Sequence, residues 1–268
     1  MTIRVCLAGA TGWAGSALAR AIARCDDLEL VAAVGRRHAG RPLGAVLDEP
    51  RLSCTVYATA QAALAQGCDV FVEYTRPELA KTHVLAALEQ GAHVVIGTSG
   101  LTDADYAEIA AAAEARRRGV LAAGNFALTA VLLQKFAELA ARYLPQWEII
   151  DYASDHKPDA PSGTVRELAA RLGRIRPSAL TVPLEATQGL RETRGARLHG
   201  SQVHALRLPG YTLAVEIIFG LPDQRLTIRH DAGSSAEPYV DGALLAIRKV
   251  PTFVGLRRGL DSVLDLDS

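Results

Sequence analysis

The sequence predicts an α/β fold: a parallel sheet covered by helices, followed by an α+β region built on a mixed or antiparallel sheet. Three observations predict it. Short apolar runs alternate with helical patterns through the first half of the chain. A glycine-punctuated turn joins the first run to the first helix. From Ser201 on, apolar runs follow one another with only short Pro/Gly-type turns between them. The 268 residues, 49% of them hydrophobic, suffice for one large domain or two modest ones.

The first run is Ile3 to Ala8, and Gly9-Ala10-Thr11-Gly12-Trp13-Ala14-Gly15 follows it. A helical pattern through Leu18, Ile22 and Ala23 comes next, then a second run from Leu28 to Val34. Strand, glycine turn, helix and strand in this order form the unit that holds a dinucleotide in a Rossmann domain. Gly9 permits the tight turn, Gly12 lets a pyrophosphate approach the backbone, and Gly15 lets the helix pack closely. Thr11, Trp13 and Ala14 complete the candidate phosphate loop. The second run ends in Gly35-Arg36-Arg37-His38 rather than in an acidic residue. Arg36 and Arg37 suit a 2′-phosphate, so the expected cofactor is NADPH, with NADH possible.

The alternation continues. Strands are expected at Ser53 to Tyr57, Asp69 to Tyr74, His93 to Ile96 and Val120 to Ala123. Helices are expected at Ala60 to Ala65, from Thr75 or Arg76 to Gln90, and from Asp103 to Arg117. Ligands of such sheets bind at the carboxyl ends of the strands. Tyr74, Thr75, Gly97, Thr98, Asn125 and Phe126 fall at such ends and join the cofactor candidates.

A long helix from Thr129 to Tyr143 and a strand from Trp147 to Ala153 lead into His156-Lys157-Pro158-Asp159-Ala160-Pro161-Ser162-Gly163-Thr164. The pattern Val165, Leu168, Ala169, Leu172 marks an amphipathic helix, with Ser162 as its candidate N-cap. Free N–H groups and the dipole at such a start attract an anion, and a lysine just upstream can close on it. Leu180 to Gly195 lacks a period and reads as a mobile loop. Ser201 to Leu208, Tyr211 to Phe219 and Arg225 to Arg229, joined by turns at Pro209-Gly210 and Pro222-Asp223, read as antiparallel strands, and a helix from Pro238 to Lys249 closes the chain. The expected division is 1–125 with 238–268 for the dinucleotide domain, and 126–237 for a substrate-binding and oligomerisation domain.

With 29 basic and 29 acidic residues, nothing suggests a nucleic-acid partner. No apolar run is long enough for a membrane span, and the N-terminus lacks a signal-peptide pattern. Cys6, Cys25, Cys54 and Cys68 show no CxxC spacing, which suits reduced thiols in the cytoplasm. The seven histidines show no tight ligand spacing, so no metal is expected. The expected partner is a small molecule.

Taken in order, the motifs resemble those of the dihydrodipicolinate (4-hydroxy-tetrahydrodipicolinate) reductases of bacterial lysine synthesis. Gly9 to Gly15 is similar to the family's GAxGRMG, with Trp13 and Ala14 replacing Arg-Met. Glu73 to Glu78 resembles DFTxPE, Gly97 to Gly100 resembles GTTG, and Ala123 to Phe126 resembles APNF. Lys157 to Thr164 is the most specific match, to the substrate-binding KxDAPSGT. The resemblance implies hydride transfer from NAD(P)H to a cyclic imine or enamine dicarboxylic acid. It implies that Lys157, Ser162, Gly163 and Thr164 hold a carboxylate, and that the protein is a homotetramer. The family's E-x-H-H-x-x-K departs here: Asp151 stands for the Glu, and Ala153 and Ser154 for the two histidines. Ala127 and Thr129 also replace the usual Ser and Gly after Asn-Phe. Ala153 cannot donate a proton, so Lys157, His156 and water stay open as donors. The alternatives are a paralogue reducing another cyclic imine or carbonyl acid, and a catalytically silent NADP(H)-binding protein.

Overall fold

The computed structural model describes residues 2–265 and divides into two units. Residues up to Leu128, with those from Ala236 onward, form the first; Thr129–Ser235 form the second.

The first unit alternates β1 (Ile3–Ala8), α1 (Trp13–Ile22), β2 (Leu28–Val34), α2 (Leu43–Leu47), β3 (Val56–Tyr57), α3 (Ala60–Leu64), β4 (Val70–Glu73), α4 (Pro77–Glu89), β5 (His93–Ile96), α5 (Asp103–Ala115) and β6 (Gly119–Ala122). Proline at the first position starts α4, and Gly91 at φ +77° ends it. A reciprocal cap starts α5: Thr102 Oγ1 accepts from Asp105 N at 3.2 Å, and Asp105 Oδ2 accepts from Thr102 N at 2.9 Å. Every residue of β4 and β6 is buried, as a sheet covered on both faces requires. Phe71, Val84, Leu88, Val94, Ile96 and Ile109 share one core, each worth about 1.5–3 kcal/mol on burial.

Two elements of this unit depart from the expectation. The strand expected from Ser53 reduces to Val56–Tyr57, with an isolated Pro42–Thr55 bridge before it, because β3 is an edge strand with one neighbour. The chain also ends differently: after a helix at Val240–Lys249 a further parallel strand, Gly255–Arg258, pairs with β6. Its Gly-Leu-Arg-Arg sequence carries no apolar run, because it too lies at an edge. With it the sheet has seven parallel strands, in the order Gly255–Arg258, β6, β5, β4, β1, β2, β3. The connections change direction at β1, which places a crevice at the carboxyl ends of β1 and β4.

The second unit contains α6 (Leu128–Tyr143, its first residue in the first unit), β7 (Gln146–Ala153), α7 (Gly163–Ile175), β8 (Ala196–Leu198), β9 (Ser201–Arg207), β10 (Leu213–Leu221) and β11 (Gln224–Ala232). The edge strand Gly255–Arg258 is therefore β12. The second sheet has the order β11-β10-β7-β9-β8. β10 and β11 form the expected hairpin over Pro222-Asp223, with Asp223 at φ +58°. β9 and β10 are not neighbours, contrary to the expectation of three successive antiparallel strands. β7 lies between them, antiparallel to β10 and parallel to β9. The connection after β9 crosses the end of β7, where Leu208 N donates to Ala153 O at 3.1 Å. Trp147, Ile149, Leu168, Leu172, Val215 and Phe219 make this unit's core. Residues 180–195 are largely exposed and hold two short turns, Leu184–Ala186 and Arg191–Arg194.

Candidate functional site

In the first unit the glycine turn is shaped by close approaches. Gly9 adopts φ +81°, and a Cβ there would lie 2.1 Å from the Tyr74 carbonyl oxygen. A Cβ on Gly15 would lie 2.1 Å from the Gly9 oxygen, so α1 packs directly on the turn. Gly12 is the N-cap of α1 and offers no side-chain acceptor, and the first turn has no acidic residue. The N–H groups at the start of α1 are thereby left for an anion. This cradle, which a side chain at Gly9 or Gly15 would fill, fits a dinucleotide pyrophosphate. Thr11 packs beside the end of β2, since a Cβ on Gly35 would lie 3.2 Å from Thr11 Oγ1. Arg36 and Arg37 follow in an exposed turn, and neither guanidinium has a partner among the described residues.

A cavity of about 390 Å³ opens at the carboxyl ends of the strands. Trp13 and Ala14 line it from α1, Tyr74 and Thr75 from the end of β4, Gly97 and Thr98 from the end of β5, and Asn125 and Phe126 from beyond β6. Trp13 is 60% exposed and meets Tyr239 edge to face, with ring centroids 5.7 Å apart. Tyr74 lies against Phe126 at 5.9 Å, and its ring leaves no room for a side chain at Gly97. Burial raises the Tyr74 phenol above its usual range, and its oxygen has no hydrogen-bond partner among the described residues. Asn125 Oδ1 accepts from Ala127 N at 2.9 Å and thereby shapes the turn into α6.

Behind the cavity lies Glu73, fully buried at the end of β4. Its Oε1 accepts from Thr75 N at 2.8 Å and from the Thr75 hydroxyl, while the Thr98 hydroxyl is shared between the Glu73 carbonyl at 3.2 Å and Oε1 at 3.4 Å. Its Oε2 lies 2.8 Å from His83 Nδ1. One carboxylate therefore ties the ends of β4 and β5 to α4.

In the second unit the other candidates lie between β7 and α7. Ser162 caps α7, its Oγ accepting from Val165 N at 3.4 Å, so the hydroxyl hydrogen stays free to donate. The Ser162 N–H donates to Asp151 Oδ2 at 2.7 Å. Gly163 is exposed, and a Cβ there would meet only Arg166 Nη2, at 3.8 Å. The N–H groups of Gly163 and Thr164 have no acceptor among the described residues. Lys157 Nζ rests on Asp159 Oδ1 at 2.7 Å, and that hydrogen bond lowers the Asp159 carboxyl below its usual range. The His156 side chain is 93% exposed, with Asp155 Oδ1 at 3.9 Å. Ala153 is fully buried, and Ser154 Oγ donates to Asp155 Oδ1 at 3.1 Å.

Sequence reading missed Tyr239 and the roles of Glu73 and Arg207. Tyr239 reaches the cavity from the returning segment, and no local pattern marks it. Glu73 was visible only as part of a motif. Arg207 looked like an ordinary strand residue. The signal for both is a charged residue at an inward strand position, which demands a partner.

The comparisons agree on one family. The model described as dihydrodipicolinate reductase, N-terminus, matches residues 3–126, and the one described as its C-terminus matches residues 129–264. The 4-hydroxy-tetrahydrodipicolinate reductase of Geobacillus thermodenitrificans is 36% identical over 266 residues, 99% of this chain and 100% of that protein. That of Moorella thermoacetica is 38% identical over 98% of both chains. A dipicolinate-bound dihydrodipicolinate reductase from Paenisporosarcina sp. TG-14 superposes with a TM-score of 0.88 at 32% identity, over 98% of this chain and 100% of that one. An amine dehydrogenase from Mycobacterium smegmatis, 15% identical over 100% of this chain and 98% of its own with a TM-score of 0.69, shares the fold. No helix among the described residues is long and apolar enough to cross a membrane. The chain belongs to the dihydrodipicolinate reductase family, and like its members it is an NAD(P)H-dependent oxidoreductase.

Proposed function

We propose that the chain reduces 4-hydroxy-tetrahydrodipicolinate, or a close cyclic imine dicarboxylate, and prefers NADPH. The observation that carries this reading is the start of α7, where two N–H groups without acceptors among the described residues stand beside the Ser162 hydroxyl, with Lys157 five residues upstream in the same loop. That set of donors matches a carboxylate. When bound, the reduced nicotinamide supplies the hydride. Gly9, Gly12 and the start of α1 receive the pyrophosphate. Arg36 and Arg37, without partners among the described residues, receive the 2′-phosphate. Lys157 exchanges Asp159 for the substrate carboxylate and stands ahead of the solvent-facing His156 as the proton source. We further infer a cytoplasmic homotetramer. Its support is the family and the four free thiols, and light scattering on the purified protein tests the assembly.

One observation favours a second reading. Ala153 places a buried methyl group where the motif the chain resembles has a histidine, which suits a paralogue with another cyclic imine or carbonyl acid as substrate. The experiment is NADPH oxidation with freshly generated 4-hydroxy-tetrahydrodipicolinate beside a simpler cyclic imine acid. Faster turnover of the former supports the first reading, and turnover of the latter alone supports the second. Binding of NADPH without turnover of either overturns both. Replacing Arg36 and Arg37 with alanine should weaken NADPH roughly 10–100-fold and NADH little. Equal weakening would remove the phosphate assignment. Dipicolinate, the molecule in the Paenisporosarcina structure, serves as a stable dianionic probe of the α7 loop.

A further inference from the structure

We propose that Asp151 and Arg207 are a charge-balanced positioning pair for the anion-binding loop, a proposal that rests on the carboxylate reading of that loop. Asp151 sits on β7 and is fully buried. Its Oδ2 accepts from Ser162 N at 2.7 Å and from Arg207 Nη2 at 2.8 Å. Its Oδ1 is buried without a hydrogen-bond partner among the described residues, as is Arg207 Nε. Arg207 ends β9, in register with Ala153 at the end of β7. Its Nη2 also donates to the Asp159 carbonyl at 2.7 Å, and its Nη1 to the Asp151 carbonyl at 3.3 Å. One guanidinium therefore fastens β7, the middle of the loop and, through Asp151, the cap of α7.

The electrostatics give the pair its purpose. Asp151 holds the Ser162 N–H and so fixes where the next N–H groups point. Alone, it would also place a negative charge behind the site that must accept an anion. An uncompensated carboxylate behind the site opposes a bound anion, the more so because Asp151 itself is fully buried and little screened by water. Arg207 cancels that charge while leaving the tether in place. A mere anchor would need the hydrogen bonds and not the charge balance.

The test separates these roles with neutral near-isosteres. Calorimetry measures dipicolinate and NADPH binding to the full chain, wild type and variants, with melting curves as a check on folding. Arg207→Gln should weaken dipicolinate roughly 10–100-fold, because Asp151 then stands uncompensated. Arg207→Gln combined with Asp151→Asn keeps the tether and removes both charges, and should return affinity to within about fivefold of wild type. Arg207→Lys should lie between wild type and Arg207→Gln. NADPH affinity should be unchanged throughout, and in turnover KM should rise more than kcat falls. A double variant no tighter than Arg207→Gln, or an Arg207→Gln that binds as wild type, overturns the proposal. If Arg207→Gln does not fold, the double variant decides: near-wild-type binding supports charge balance, and a loss of about tenfold or more overturns it. A wild-type protein that ignores dipicolinate overturns the carboxylate reading, and the pair with it.

Discussion

The two units each bury one carboxylate completely at the end of a strand, and they satisfy it in opposite ways. Glu73 is surrounded by neutral donors, two threonine hydroxyls and a backbone N–H, with His83 on its other oxygen. Asp151 is met by a guanidinium and a backbone N–H. The difference sets the polarity of what faces the ligand. Thr75 and Thr98 spend their hydrogens on Glu73, so their oxygens remain as acceptors on the cavity wall. Ser162 spends its N–H on Asp151, so its hydroxyl and the next N–H groups remain as donors. One buried acid leaves a wall of acceptors, and the other acid, neutralised, leaves a surface of donors, the polarities that the proposed nicotinamide and carboxylate sites require.

Removing the acids should separate these designs. Asp151→Ala leaves the largely buried Arg207 charge without its counter-ion and should cost about 3–5 kcal/mol, read from the urea midpoint of unfolding. A loss under about 1 kcal/mol would mean that the ion pair is easily replaced by water. Glu73→Gln is milder, because its amide oxygen still accepts from Thr75 while its amide nitrogen faces His83. We expect about 1–2 kcal/mol of lost stability. With the nicotinamide in the cavity as proposed, NADP⁺ affinity should fall several-fold more than NADPH affinity, since a negative charge behind a ring that is positive only when oxidised would be gone. Equal changes for both cofactor forms would show that Glu73 only holds the fold.

The smallest effect concerns a neutral contrast to both acids. His93 Nδ1 accepts from Gly119 N at 2.9 Å, linking the start of β5 to that of β6. Burial, with Arg118 nearby, lowers the His93 pKa below its usual 6.5. The unfolded chain therefore binds the proton first, so this contribution is complete above about pH 6.5 and is lost as pH falls below it. Loss of the hydrogen bond is worth about 1 kcal/mol, or ~2–4 °C in Tm. His93→Gln, which can still accept through its amide oxygen, should flatten that part of the profile between pH 7 and 5. A profile unchanged by the substitution would exclude His93 as its source.

The sequence by itself determined what depends on near neighbours. The glycine turn after β1, proline at the start of α4, Ser162 as a cap and the Pro222-Asp223 hairpin were all legible, because each is set by a residue's own backbone preference or a partner a few positions away. The candidate residues at the strand ends followed from the alternation alone. Tertiary structure decided the rest. Thr98 meets Glu73 across 25 positions and Arg207 meets Asp151 across 56. β12 carries no apolar run because its place at the edge spares it from burial on both sides. β7 lies between β9 and β10 although the Pro209-Gly210 turn reads as a hairpin. A buried charge is tolerable only when the fold brings its partner, and that partner is chosen by the packing of strands far apart in the chain.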